Sequence, residues 1–329
     1  MSVLYLTEQG SLLRKTGERL IVEKDDRVLA EIQCLKLETV LVYGNVQITT
    51  QALAELLDHG IELALLSRSG KLRGQLTPPK AKNVPLRMRQ YDLSRQPAFC
   101  LELAREIVRA KVENGVAALR RFRLNHPDFS TAEAGEMECS LERVAATASP
   151  DELRGVEGNA AARYFAALGR MVPASFGFDG RNRRPPRDPL NALLSFGYVL
   201  VGNELQSLLD AMGFDPYLGF YHQLDYGRPS LALDLLEEVR PALVDRLSTA
   251  LLNLGTLDQG DFTSTPERGC FLQPEGLKRY FRAYESELTT PLRLAEGDLS
   301  FRQVFRRQAE RLARALVAGE PYQGFRLPC

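Results

Sequence analysis

Residues 77–85, Thr77-Pro78-Pro79-Lys80-Ala81-Lys82-Asn83-Val84-Pro85, separate two stretches of different character. Proline has no N–H and a fixed φ, so three prolines in nine residues let neither a helix nor a strand continue. A linker at 78–87 is therefore expected, between a domain at 1–77 and another at 88–329. Upstream, short runs such as 3–6, 19–23 and 39–42 are bounded by Gly, Asp and Asn and read as strands. A helix is expected at 50–59, capped by Thr49-Thr50 and ended by Gly60. Strands return at 61–66 and 71–76, with Ser69-Gly70 as their turn. Downstream, apolar residues recur at helical spacing through 88–124, 158–171, 190–212, 231–253, 275–287 and 300–318. The expected fold is α+β: a small β-rich, sandwich-like domain followed by a larger all-α domain. Residues 172–189 form a polar loop rich in proline and arginine, of a length that is usually functional or disordered.

A chain of 329 residues suits two domains, and 44% apolar with 26% charged residues is the balance of a soluble globular protein. No run of 18 apolar residues exists, so no membrane span is expected. The first residues lack a basic leader followed by a long apolar core, which argues against a signal peptide. Cys34, Cys100, Cys139, Cys270 and Cys329 form no C-x-x-C pair. Such scatter argues against a disulfide framework or a cysteine zinc site and fits a reducing cytoplasm.

Net charge is zero, so the chain is not of the strongly basic class. Yet 34 of its 42 cations are arginine, whose planar fork binds phosphate in bidentate fashion. They cluster. Residues 181–187, Arg-Asn-Arg-Arg-Pro-Pro-Arg, hold Arg181, Arg183, Arg184 and Arg187 with no acid. Arg302, Arg306, Arg307, Arg311 and Arg314 form a second group. A neutral total can hide one basic and one acidic face.

His222, in Gly219-Phe220-Tyr221-His222-Gln223, is one of only three histidines, with His59 and His126. A helix is expected to start at Pro229-Ser230 and to carry Asp234, Glu237 and Glu238 at i, i+3 and i+4, hence on one side. Leu231, Leu235 and Val239 form the stripe suited to the core. Two readings of the acids stand: a solvated face, with Arg240 and Arg246 as partners, or a site where a divalent cation relieves their repulsion. Glu157 precedes Gly158-Asn159, a poor helix opening before an alanine run. It reads either as a carboxylate at a helix start or as a functional residue at a local conflict. Two carboxylates and an imidazole would suit Mg²⁺ or Mn²⁺. No G-x-x-x-x-G-K-[ST], G-x-S-x-G or H-E-x-x-H is present.

Taken in order, Tyr43-Gly44-Asn45-Val46-Gln47-Ile48-Thr49-Thr50, Glu157-Gly158-Asn159-Ala160-Ala161, Asp188-Pro189-Leu190-Asn191-Ala192-Leu193-Leu194-Ser195-Phe196-Gly197-Tyr198, Gly219-Phe220-Tyr221-His222 and Arg228-Pro229-Ser230-Leu231-Ala232-Leu233-Asp234-Leu235-Leu236-Glu237 with Arg240-Pro241 resemble the CRISPR-associated protein one family. These are the integrases that insert spacers into CRISPR arrays. The resemblance implies a metal-dependent DNA integrase and endonuclease using Mg²⁺ or Mn²⁺, in which a DNA 3′-hydroxyl attacks a phosphodiester. It places the metal ligands, and so the catalytic residues, on Glu157, His222 and Glu237, with Glu238 a competing candidate for the last. Asp234 matches a neighbouring acidic position. Arg181, Arg183, Arg184, Arg187, Asn191 and Tyr198 match a region near the site and the DNA path. The resemblance further implies a homodimer paired through the N-terminal domains. Double-stranded and branched DNA (prespacer and array) would be the substrates, and CRISPR-associated protein two, a small ferredoxin-like protein, the partner. The alternatives are a catalytically inactive DNA-binding protein of the same fold and a metal hydrolase acting on a small molecule.

Overall fold

The computed structural model describes residues 2–67, 72–76, 83–267 and 269–328. The chain divides into two compact units, Met1–Lys80 and Ala81–Cys329. The first is rich in strands and the second in helices, as the periodicities predict.

The N-terminal unit holds β1 (Ser2–Leu6), β2 (Leu12–Thr16), β3 (Arg19–Lys24), β4 (Arg27–Gln33), β5 (Leu37–Tyr43), β6 (Gln47–Ile48), α1 (Thr50–Asp58), β7 (Glu62–Leu66) and β8 (Leu72–Leu76). Two four-stranded sheets form, ordered β1-β5-β7-β8 and β4-β3-β2-β6. β1, β5 and β7 run parallel, and β8 closes that sheet antiparallel. Leu13, Leu20 and Val22 from one sheet and Val40, Val42 and Leu63 from the other enter one apolar core, which Ala52 and Leu56 of α1 complete. Thr49 caps α1 as expected, its hydroxyl accepting from the Ala52 N–H at 3.2 Å. The Ser69-Gly70 turn, Thr77 and residues 78–82 of the expected linker lie outside the described residues.

The second unit begins earlier than the proline pattern suggests. Asn83 caps α2 (Val84–Ser94), and Pro85 sits in its first turn, where a missing N–H costs nothing. The apolar run 88–124 is two helices, not one. Pro97 starts α3 (Pro97–Asn125) after a break at Arg95-Gln96. α4 (Ala132–Ala146) has too few apolar residues to stand out in the sequence, although Ala134, Met137 and Val144 are buried. α5 runs from Pro150 to Arg170, capped by Ser149, so Glu157 lies inside a helix rather than at its start. α6 (Pro189–Met212) is capped by Asp188 and stops at Gly213. It is long and apolar enough to cross a membrane, but Leu190, Leu193, Leu194, Val201, Leu205 and Leu209 are in the core.

α7 (Ser230–Val239) continues through a π-helical turn, Arg240–Asp245, into α8 (Arg246–Asn253). Pro241 has no N–H to offer the carbonyl four residues back, and the wider turn absorbs the defect. The remaining elements are the hairpin β9 (Phe262–Thr265) and β10 (Gly269–Leu272), α9 (Pro274–Thr289), a short hairpin of β11 (Leu292–Leu294) and β12 (Gly297–Leu299), and α10 (Phe301–Ala318). α3 packs against α4, α5 and α7. That arrangement brings Lys111 of α3, Glu157 of α5 and Glu237 of α7 together.

Candidate metal and DNA site

α7 is buried all round. Its apolar stripe faces the core as expected, but its acids do not form a solvated face: Asp234, Glu237 and Glu238 are all buried. Each must therefore be compensated, and each is, by a different set of groups.

Asp234 shapes the segment that carries His222. Its Oδ2 accepts the N–H groups of Phe220 at 2.7 Å and Tyr221 at 3.1 Å, and its Oδ1 accepts that of His222 at 2.9 Å. The same Oδ1 lies 2.7 Å from His222 Nδ1. An ionised carboxylate only accepts, so Nδ1 carries the proton and Nε2 is left with its lone pair. Nε2 points toward Glu237, 3.5 Å from Oε1. Gly219 is required here: a Cβ would stand 2.7 Å from Asp234 Oδ2 and 2.8 Å from the Ser230 backbone.

Glu237 is surrounded by cations. Arg240 Nη1 is 2.8 Å from Oε1 and Lys111 Nζ is 2.6 Å from Oε2. Burial opposes its ionisation, but Arg240 and Lys111 outweigh that penalty and hold its pKa at about 2. The Lys111 ammonium also pairs with Glu157 Oε1, so it sits between the two carboxylates. Burial would neutralise Lys111, yet Glu237 and Glu157 together raise its pKa and keep it charged. The Arg240 guanidinium lies 4.6 Å over the Tyr198 ring, whose hydroxyl donates to Asp245 Oδ1 at 2.5 Å. The other arginine considered for the acids, Arg246, pairs instead with Glu287.

Glu238 faces elsewhere. It accepts from Gln308 Nε2 at 2.8 Å, the Tyr322 hydroxyl at 2.7 Å and the Phe325 N–H at 2.8 Å. The fold brings Glu157, His222 and Glu237 together with Lys111 and turns Glu238 toward the C-terminal segment.

The donor set fits a divalent cation. Two carboxylates and a bare imidazole nitrogen are ligands for Mg²⁺ or Mn²⁺. Glu237 Oε2 is buried and faces the Lys111 ammonium at 2.6 Å, a positive charge that stands beside both carboxylates as a divalent cation would. Gly158 is not there for close packing, because a Cβ would meet nothing within 4 Å. In the N-terminal unit, Cys34, Glu55 and His59 also place ligand atoms within 4.8 Å of one another. There Lys15 already pairs with Glu55, and burial pushes the Cys34 thiol toward its neutral form.

The arginine loop splits by role. Arg181 turns inward, donating to Asn191 Oδ1 at 2.7 Å and Ser195 Oγ at 3.1 Å, with its guanidinium 5.5 Å from the Tyr198 ring centre. Asn191 is fully buried and organises the loop, accepting from Asn182 N and donating to Gly180 O and Asp188 Oδ2. Asn191 and Tyr198 thus support the site from within instead of lining a surface for DNA. Arg183, Arg184 and Arg187 are exposed and form no ion pair among the described residues. The loop is pinned where Cys270 N–H donates to Pro186 O at 2.7 Å. Gly269, at φ +67°, permits this approach, since a Cβ would fall 2.1 Å from that oxygen.

The second arginine group is neutralised along α10. Arg302 pairs with Glu285 and Glu204, Arg306 with Glu310, Arg307 and Arg311 with Glu296, and Arg314 with Glu320. Lys111 and Arg240 are the site cations that motif reading leaves out or underrates. The one sequence signal for Lys111 is compositional: it is the only lysine between Lys82 and Lys278 in an arginine-dominated chain.

The chain is similar to known proteins over nearly its whole length. The family profile described as CRISPR associated protein Cas1 matches residues 4–286. A Rhodospirillum rubrum protein named CRISPR-associated endonuclease Cas1 2 is 36% identical over 297 residues, covering 87% of this chain and 86% of that one. The solved structure of a CAS1 protein from Thermotoga maritima superposes with a TM-score of 0.84 at 26% identity, over 98% of this chain and 99% of that one. A chain of a Cas6-RT-Cas1–Cas2 complex gives a TM-score of 0.84 at 26% identity, over all of this chain and 36% of that one.

Proposed function

The chain belongs to the Cas1 family of CRISPR-associated proteins, and from that premise we propose that it is a metal-dependent DNA endonuclease and integrase that joins spacer DNA to a CRISPR array. The observation that carries the reading is the clustering of Glu157, Glu237 and the Nε2 side of His222 around the cations Lys111 and Arg240. Those three residues would hold Mg²⁺ or Mn²⁺. The metal would neutralise phosphate charge and activate the attacking hydroxyl.

The chain's own groups have three tasks. Asp234 holds His222 in the tautomer that leaves Nε2 free. Lys111 and Arg240 place fixed positive charge beside the carboxylates, which favours approach of a phosphodiester. Arg183, Arg184 and Arg187 offer unneutralised cations to the backbone of double-stranded or branched DNA without reading its bases. No protein nucleophile is needed, because the 3′-hydroxyl of the incoming DNA attacks the phosphodiester and the 3′-oxygen of the broken strand leaves.

Two copies would associate through the N-terminal units. β4 is an edge strand exposing Val28 and Leu29, a template that soluble proteins cover. The Cas1–Cas2 complex among the structural neighbours supports a Cas2 partner, and action on a CRISPR array is consistent with a cytoplasmic protein. The test is strand transfer from prespacer DNA into an array plasmid, with and without that partner. Joined products that need Mg²⁺ or Mn²⁺ and vanish in Glu157→Gln are expected. A wild-type protein that binds DNA but never joins it would instead favour the inactive DNA-binding alternative.

A further inference from the structure

We propose that Tyr226, with Leu224, forms a stacking platform for an unpaired DNA base beside the Glu157–His222–Glu237 pocket, an assignment that rests on the DNA-directed function above. Residues 223–227 are all exposed, and two of them are large apolar side chains at the loop tip. Tyr226 is 103% exposed and Leu224 66%. Single exposed apolar residues are ordinary, but these two stand on a tied loop next to a proposed metal ligand. At one end Asp234 fixes His222. At the other, the buried Ser230 donates its hydroxyl to Gln223 O at 3.1 Å. Between them Arg228 N–H donates to Asp225 O at 3.1 Å and Tyr226 N–H to Asp225 Oδ1 at 2.8 Å. The ring is thus presented from a closed turn, and the Tyr226 hydroxyl has no partner among the described residues.

Reach sets the register. Tyr226 lies four positions after His222, a span of at most about 14 Å. That corresponds to about four stacked nucleotides at 3.4 Å per step. Asp225 beside the ring repels phosphate, so the surface favours the uncharged face of a base over the backbone. Bases buried in a duplex stack cannot lie on it; an unpaired one near the reacting phosphate can. Aromatic stacking of this kind tolerates any base.

The experiment uses the full chain with two DNA probes: a blunt duplex, and the same duplex with unpaired ends carrying 2-aminopurine. Wild type and Tyr226→Trp should quench the 2-aminopurine. Tyr226→Ser should lose the quenching and bind the unpaired-end probe about five- to 150-fold more weakly, with blunt-duplex affinity unchanged. Equal quenching and affinity in Tyr226→Ser would overturn the platform while leaving the DNA-directed function standing. A change in oligomeric mass in Tyr226→Ser would reassign the loop to a protein interface. Wild type that binds neither probe would overturn both readings.

Discussion

His222 Nδ1 lies 2.7 Å from Asp234 Oδ1, on a carboxylate that also accepts three successive backbone N–H groups. One buried side chain therefore fixes both the path of the Gly219–His222 segment and the proton position on the imidazole. Asp234→Asn keeps the volume but turns one acceptor into a donor, which opposes the N–H groups it should receive. The expected result is a roughly 10- to 100-fold loss of metal affinity, as for other partners of metal-binding histidines. Destabilisation of about 1–3 kcal/mol should accompany it. Mn²⁺ titration calorimetry and chemical denaturation measure the two. Unchanged Mn²⁺ affinity would show that Asp234 does not orient a ligand.

Lys111 sits between Glu157 and Glu237. Replacing it by methionine removes the ammonium and leaves the buried Glu237 and the half-buried Glu157 without that counter-charge. Without divalent ions the variant should melt lower than wild type. Added Mn²⁺ should raise its melting temperature more than it raises that of wild type, because the ion relieves the same repulsion. Thermal scans with and without Mn²⁺ decide this, and equal metal shifts in both proteins would remove Lys111 from the site's electrostatics.

Glu237 and Glu238 are neighbours in sequence with opposite electrostatics. Glu237 is held at about 2, so its ionised form stabilises the fold above the unfolded value of about 4.3 and that contribution is lost as pH falls toward 2. Glu238 runs the other way. Burial outweighs its hydrogen bonds from Phe325, Tyr322 and Gln308 and pushes it up to about 7. Its contribution is full below about 4.3 and is lost as pH rises through 7, a change on the order of 3 kcal/mol. Glu238→Gln should flatten stability between pH 5 and 8 and retain strand transfer, whereas Glu237→Gln should abolish transfer at every pH. Loss of transfer in Glu238→Gln, with its fold intact, would reverse the ligand assignment.

The division into a strand-rich and a helical unit was legible because periods of 2 and 3.6 leave different apolar patterns, and the prolines of 78–85 mark where one gives way to the other. Glu157, His222 and Glu237 could be picked out because each sits in a motif of recognisable residues. What resisted reading was set by long-range packing. Gly155, Gly158 and Asn159 hide the first turns of α5, although Ser149 caps it and Leu153 and Val156 anchor it in the core. Nothing local says that Glu238 meets Tyr322, 84 positions away, or that Asn191 spends its amide on Gly180 and Asp188. Arginine count alone misjudged two groups alike: the acids that neutralise α10 include Glu204, Glu285 and Glu296, distant in sequence.

That contrast yields the last prediction. Arg183 and Arg187 are exposed with no acid paired to them among the described residues, whereas Arg306 and Arg307 face Glu310 and Glu296. A paired arginine must give up its carboxylate before it can meet a phosphate, so it releases few counterions on binding. Arg183→Gln with Arg187→Gln should weaken binding to unrelated DNA sequences equally and flatten the slope of log affinity against log salt by about two units. Arg306→Gln with Arg307→Gln should change the slope by less than half as much. Fluorescence anisotropy of labelled duplexes across a salt series gives both slopes. If the α10 pair proved the larger, the DNA path would run along α10 and its ion pairs would be exchanged for phosphates on binding.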